Sequence, residues 1–258
     1  MTSIDEDHSF ALCLTHDVDR PYKTYQSVYY AITNRDPHHI STALRGRNPY
    51  WQFEDIMALE EDLGVRSAFY FLQEQRLFRD KPPWTWFRPS YWRLYAGRYS
   101  VTDPAIVDVI ERLDAGGWEV GLHGSYESYL DDDLLAREKA TVEDVLGHPV
   151  VGGRQHYLNL EVPTTWRYHS EAGLKYDASL GSQTGYGFQY GYDVLRPFDD
   201  EFVVFPLTIM ESRLPPATSE EAWRECERLL EEARDNDAVM TVLWHPCYFS
   251  EHDYPGYG

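Results

Sequence analysis

The apolar run Phe10–Leu14 stops abruptly at Thr15-His16-Asp17-Val18-Asp19, and the same change recurs along the chain. Seven short apolar runs read as strands: Phe10–Leu14, Ser67–Leu72, Trp118–Leu122, Val150–Gly153, Leu174–Ala178, Phe202–Phe205 and Val239–Trp244. Amphipathic stretches at Trp51–Leu63, Asp103–Ala115, Asp131–Leu146, Pro163–Ala172 and Ser219–Asn236 read as helices, the last with a Ser/Thr cap and a carboxylate-rich first turn. Strands alternating with helices predict a parallel sheet in an α/β fold. No internal repeat or linker divides the chain. Residues 73–102, rich in Pro, Trp, Tyr and Arg, read as one long functional loop within a single domain spanning 1–258.

The residues just past the runs carry the chemistry. Asp17 and Asp19 follow the first and His123 the third. Arg154, Gln155 and His156 follow the fourth, Asp177 and Ser179 lie at the fifth, and His245 follows the last. In parallel barrels the carboxyl ends of the strands form the active-site face, so polar groups from five strands are predicted to converge on one face.

Strand alternation puts Asp17 and Asp19 on one side with Cys13 and Thr15, and His16 and Val18 on the other with Leu12 and Leu14. Two close carboxylates repel unless one is protonated or a cation lies between them. One can hold a divalent metal while the other acts as a base; a pair of N-caps is the structural alternative. His123 and Glu127, four residues apart across a Gly-Ser turn, are candidate ligands of one ion. In GGRQHYL, two glycines allow close backbone approach to a ligand, and Arg154 can pair with a strand-end carboxylate and hold it ionised. His245 suits a general acid that Asp177 could orient, although either residue could equally be a satisfied core group. Aromatic residues make up 15% of the chain; Trp84, Trp86, Tyr91 and Trp92 in the long loop suit stacking on sugar faces or ordinary packing.

In this order the motifs resemble those of the polysaccharide deacetylase family, also called the NodB-homology or carbohydrate esterase family 4 domain. LTHDVD stands in the place of the family's Thr-Phe-Asp-Asp-Gly, LHGSYE in that of His-(Ser/Thr)-x-x-His, RQHYL in that of Arg-x-Pro-x-Gly, YDASLG in that of the fourth motif, and LWHP in that of Leu-x-His. The chain looks closest to an HDVD branch associated with surface-glycan biosynthesis. The resemblance implies a distorted (β/α)₇ barrel and removal of N-acetyl groups from an amino sugar. It also implies one divalent ion, zinc first, with cobalt, nickel or manganese as alternatives. By position it implies Asp17 as base, Arg154 as its partner, His123 as a metal ligand, and His245 as the acid oriented by Asp177. It also implies the backbone N–H of Tyr157 as an oxyanion donor. Val18 occupies the place of the family's metal-binding aspartate, and Asp19 is expected to replace it. Glu127 stands for the second histidine of the metal motif, and His156, at the family's proline, is a rival third ligand. Hydrolysis of another non-peptide C–N bond, or a glycan-binding module with a decayed site, are the competing functions.

Charge narrows the partners. The formal net charge is −20 and the pI about 4.8, which argues against a nucleic-acid partner. No apolar run reaches bilayer-spanning length. MTSIDEDHSF has neither a basic n-region nor an apolar h-region, and the odd count of three cysteines (Cys13, Cys226, Cys247) points to a reducing compartment. A cytoplasmic location is therefore expected. Only four of the 23 basic residues are lysines (Lys23, Lys81, Lys139, Lys175). An acidic, lysine-poor chain fits a halophile, in which high salt screens self-repulsion. The melting temperature is predicted to rise from low to molar KCl, as the Debye length falls from about 10 Å at 0.1 M to about 3 Å at 1 M. A flat or falling trend would contradict the halophile reading.

Overall fold

The computed structural model describes residues 10–24, 35, 48–198, 201–214, 219–251 and 253–254. Among these residues eight strands form one sheet: β1 Ala11–Val18, β2 Ala68–Leu72, β3 Glu119–Gly124, β4 Gly152–Gln155, β5 Tyr176–Asp177, β6 Val203–Val204, β7 Leu207–Met210 and β8 Val239–Leu243. Their order is β6-β5-β4-β3-β2-β1-β8-β7, and every pairing between them is parallel. The sheet curls into an open, distorted barrel of the kind expected, with eight strands in place of seven. The extra strand is β7, which follows β6 after only Phe205-Pro206 and so reads in sequence as part of the same run.

The helices pack on the outside: α1 Phe53–Leu63, α2 Leu77–Asp80, α3 Pro89–Tyr95, α4 Pro104–Ala115, α5 Asp132–Leu146, α6 Thr164–Glu171 and α7 Ser219–Asp235. α5 begins where Asp131 accepts a hydrogen bond from the Leu134 N–H at 2.8 Å, with Asp132 and Asp133 favourably placed in its first turn. The cap expected for α7 at Thr218–Ser219 lies outside the described side chains. The main core joins Phe53 and Ile56 of α1, Phe69 and Phe71 of β2, Ile106 and Ile110 of α4, and Val120 and Leu122 of β3. Among the described residues, no helix is long and apolar enough to cross a membrane.

Two expectations change here. The segment 73–102 is not one loop: it folds into α2, a 3₁₀ turn at Pro83–Thr85 and α3. Leu77, Leu94, Tyr95 and Ala96 form a small core there, with Trp86 and Tyr91 packed against it. The glycines of GGRQ serve packing, not ligand approach. A Cβ on Gly152 would lie 1.9 Å from the Tyr176 ring, and one on Gly153 2.3 Å from Leu122 O.

β1 runs on through Val18, so its alternation reaches the site. Thr15 and Asp17 face the interior, where both contact Arg154. His16 faces the helices. Its Nε2 lies 3.0 Å from Glu60 Oε1 of α1, and Glu60 Oε2 accepts from Trp118 Nε1 at 2.6 Å and Ser67 N at 3.0 Å. Burial alone would raise the Glu60 carboxyl, but His16, Trp118 and Ser67 outweigh it and lower the pKa. A depressed folded-state pKa contributes stability that is present above the ordinary value of 4.5 and is lost as pH falls through the folded value. Glu60→Gln is predicted to cost about 1–3 kcal/mol at pH 7 in urea unfolding. The deficit should shrink as pH falls below about 4.5; a deficit independent of pH would show that the carboxylate charge plays no part.

Candidate active site

The strand ends converge around Arg154, which is fully buried. Its Nη1 donates to Asp17 Oδ1 at 2.8 Å and Thr15 Oγ1 at 2.9 Å, and its Nε donates to Ala178 O at 2.8 Å. The guanidinium carbon lies 5.0 Å from the centroid of the Tyr70 ring. Burial would raise the Asp17 carboxyl, but Arg154, followed by His123 and His245, brings it below the ordinary value. Asp17 is therefore an ionised carboxylate in a water-poor setting.

One residue pair beyond Asp17 lies a cluster of Asp19, His123 and His156, whose ligand atoms are all within 4.8 Å of one another. Asp19 Oδ1 lies 3.0 Å from His123 Nε2 and 3.6 Å from His156 Nε2. That oxygen is buried yet has no well-aligned hydrogen bond. The far nitrogens of both rings are engaged. His123 Nδ1 lies 2.8 Å from Arg154 O, and His156 Nδ1 lies 3.3 Å from Glu74 Oε2. This is how metal-ligating histidines are normally held, with the outer nitrogen on a carbonyl or carboxylate and the inner one toward the ion. The residues thus fit a divalent ion: a carboxylate oxygen and two imidazole nitrogens suit zinc and other first-row divalent metals. Burial would raise the Asp19 carboxyl, but His156 and His123 hold it well below its ordinary value. Burial would lower the His123 pKa, but Asp17 and Asp19 raise it above the ordinary value.

On the other side stands His245. Its Nδ1 lies 2.7 Å from Glu211 Oε1, and its Nε2 lies 3.7 Å from Asp19 Oδ2. Burial opposes its charge, but Glu211, Asp19 and Asp17 raise its pKa to about 10. Tyr157 has a left-handed backbone, φ 60°, uncommon for a residue with a side chain and typical of functional sites. Two adjoining cavities of about 370 and 230 Å³ open here, both lined by Asp17, Asp19, His156, Tyr157 and His245.

No protein-family model and no curated protein matches the chain in sequence. Solved structures do match in fold. A Mycobacterium smegmatis protein assigned to the polysaccharide deacetylases superposes with a TM-score of 0.57 at 18% identity, over 95% of this chain and 80% of that one. A Pseudomonas aeruginosa PAO1 protein with the same assignment gives 0.55 at 13% identity, over 97% and 83%. A peptidoglycan N-acetylglucosamine deacetylase bound to an N-hydroxybenzamide gives 0.50 at 8% identity, over 97% and 80%. The fold is that of the polysaccharide deacetylases.

On this polysaccharide deacetylase fold, Asp17, Asp19, His123, Arg154, His156, Tyr157 and His245 come together. Four other expected residues do not. Glu127 is turned toward the α2–α3 segment, where it accepts from Tyr95 Oη at 2.8 Å and pairs with Lys81 Nζ at 2.7 Å. Asp177 does not orient His245. Its neighbour Tyr176 faces the interior, so Asp177 faces α6, accepting from Trp166 Nε1 at 3.2 Å and lying 3.1 Å from His169 Nδ1. Trp84 and Trp86 are absent from the lining of both cavities. Trp84 is 70% exposed, and Trp86 donates its indole N–H to Leu77 O inside the small core.

Glu74 and Glu211, which hold His156 and His245 from behind, escaped the sequence reading. Each lies just past a strand, β2 and β7, so the rule that found the others would have found them. Metal analysis of purified protein should show one equivalent of zinc, lost in Asp19→Ala, His123→Ala and His156→Ala and kept in Glu127→Ala. Glu74→Gln should weaken affinity about 10- to 100-fold. Loss of metal in Glu127→Ala alone would move the ligand set.

Proposed function

We propose that the chain is a metal-dependent deacetylase that hydrolyses the N-acetyl group of an amino sugar in a surface glycan or its precursor. The observation that supports this best is Asp17, ionised by Arg154 and adjacent to the Asp19–His123–His156 cluster, with His245 facing it. An ion held by these three residues, most simply zinc, would lower the pKa of a water toward about 7 and polarise the amide carbonyl.

The chain's own groups do the rest. Asp17 accepts the proton of the attacking water; Arg154 keeps it unprotonated and fixed, and Thr15 and Ala178 fix Arg154. The backbone N–H of Tyr157 serves the oxyanion that develops on the acetyl oxygen. His245, turned by Glu211 so that Nε2 faces the cavity, is protonated at neutral pH and delivers that proton to the departing amine. The carbon–nitrogen bond breaks, water supplies the hydroxyl of acetate, and a free amino sugar leaves. The three cysteines are free, which fits a reducing compartment such as the cytoplasm and a precursor substrate.

Zinc-loaded protein should release acetate from N-acetylglucosamine oligomers. Asp17→Asn should keep its metal and lose about a hundredfold to ten-thousandfold in rate, because an amide cannot accept the water's proton. Full activity in Asp17→Asn would remove Asp17 as the base. Release of formate or ammonia in place of acetate, from the matching substrates, would assign the site to a different C–N bond.

A further inference from the structure

The chain has 43 acidic residues against 23 basic ones, so a cationic wall needs a reason. One lies beside the candidate centre. Arg20, Arg93 and Arg98 line the larger cavity, Arg213 lines the adjoining one, and no lysine lines either. Among the described residues, the carboxylates in these walls are Asp17, Asp19 and Glu211, and each is already engaged, by Arg154, by the two cluster histidines and by His245. Beyond the centre, the described lining residues include no further carboxylate, and Arg93 stands among them.

The wall is also braced. Arg20 donates to Ala96 O at 2.8 Å and Arg93 O at 2.6 Å. Arg98 donates from Nε to Leu94 O at 2.6 Å and from Nη1 to Asp19 O at 3.0 Å. These bonds hold the end of α3 against the end of β1 and so set Arg93 in the wall. The Arg93 guanidinium carbon lies 5.9 Å from the centroid of the Tyr157 ring, and among the described residues Arg93 forms no ion pair. Along the same cavity Tyr248 stacks on Tyr254 with ring centroids 4.0 Å apart, a surface suited to a sugar. Guanidinium groups match carboxylate and phosphate oxygens in a bidentate fork that an ammonium cannot offer.

We propose that this wall is an anion subsite centred on Arg93, and that the substrate is an N-acetylated sugar carrying a carboxylate or phosphate within reach of the acetamide. The proposal rests on the deacetylase reading for the position of the acetamide, but the subsite can be tested apart from it. Acetate release would be compared between a hyaluronan tetrasaccharide and chitotetraose, and between N-acetylglucosamine 6-phosphate and N-acetylglucosamine. At least one anionic substrate should exceed its neutral counterpart about tenfold in kcat/KM, the scale of a charge-assisted hydrogen bond. Whichever pair shows the preference separates uronate from phosphate. Arg93→Gln should abolish most of the preference, chiefly through KM. Arg93→Glu should reverse it, Arg93→Lys should restore part, and added KCl should shrink it in the unmodified protein. Equal kcat/KM within both pairs overturns the subsite whatever the variants do. If no sugar releases acetate, the same four compounds are tested for binding by calorimetry. Preferential binding of an anionic one, lost in Arg93→Glu, keeps the subsite and sinks the deacetylase reading; equal or absent binding overturns the subsite.

Discussion

The site depends on one buried cation. Arg154 bonds Thr15 and Asp17 of β1 and Ala178 beyond β5, while its carbonyl takes the ring of His123 from β3. A fully buried guanidinium is tolerable only with a carboxylate partner and further acceptors; Asp17, Thr15 Oγ1 and Ala178 O take Nη1 and Nε, while Nη2 has no hydrogen-bond partner among the described residues. Removing either member would leave an uncompensated charge inside the barrel. The pair therefore ties the ends of β1 and β4 together, and the same contact lowers the Asp17 pKa.

Two further carboxylates repeat the device on imidazole rings. Glu74, buried beyond β2, takes the outer nitrogen of His156, and Glu211, buried beyond β7, takes that of His245. Each settles which ring nitrogen is left to face the cavity. On the proposed function, the surroundings then separate the roles. His156 shares Asp19 with His123, so its free nitrogen is placed for an ion. His245 has Glu211 behind it and both aspartates before it, so it is placed to carry a proton. Similar imidazoles at neighbouring strand ends thus differ through the carboxylates around them.

Much of this was legible in the sequence because strand ends are marked by a sharp change from apolar to polar residues. FALCLTHDVD, EVGLHG, GGRQH and VLWHP each show it, and they supplied Asp17, Asp19, His123, Arg154, His156 and His245. Alternation within β1 correctly separated Asp17 from His16. What failed were inferences across space. Glu127 is four residues from His123, yet the turn between them directs it to Lys81 and Tyr95. Asp177 lies at a strand end, but the parity of β5 gives the interior to Tyr176. Glu211 was hidden because β6 and β7 run together in sequence, and Glu74 because the end of β2 merges into an aromatic segment that looked like loop. Trp84 and Trp86 show that aromatic composition without a partner surface does not locate a sugar site.

The proposed chemistry requires Asp19, His123 and His156 to form a metal centre next to an ionised Asp17. Anomalous diffraction from crystals grown with zinc, recorded on both sides of the zinc edge, tests it most directly. The account predicts one strong peak within bonding distance of Asp19, His123 Nε2 and His156 Nε2, with Asp17 on Arg154 and outside the coordination shell. A peak on Asp17 with Asp19 free, a peak at Glu127, or no peak at saturating zinc would contradict it.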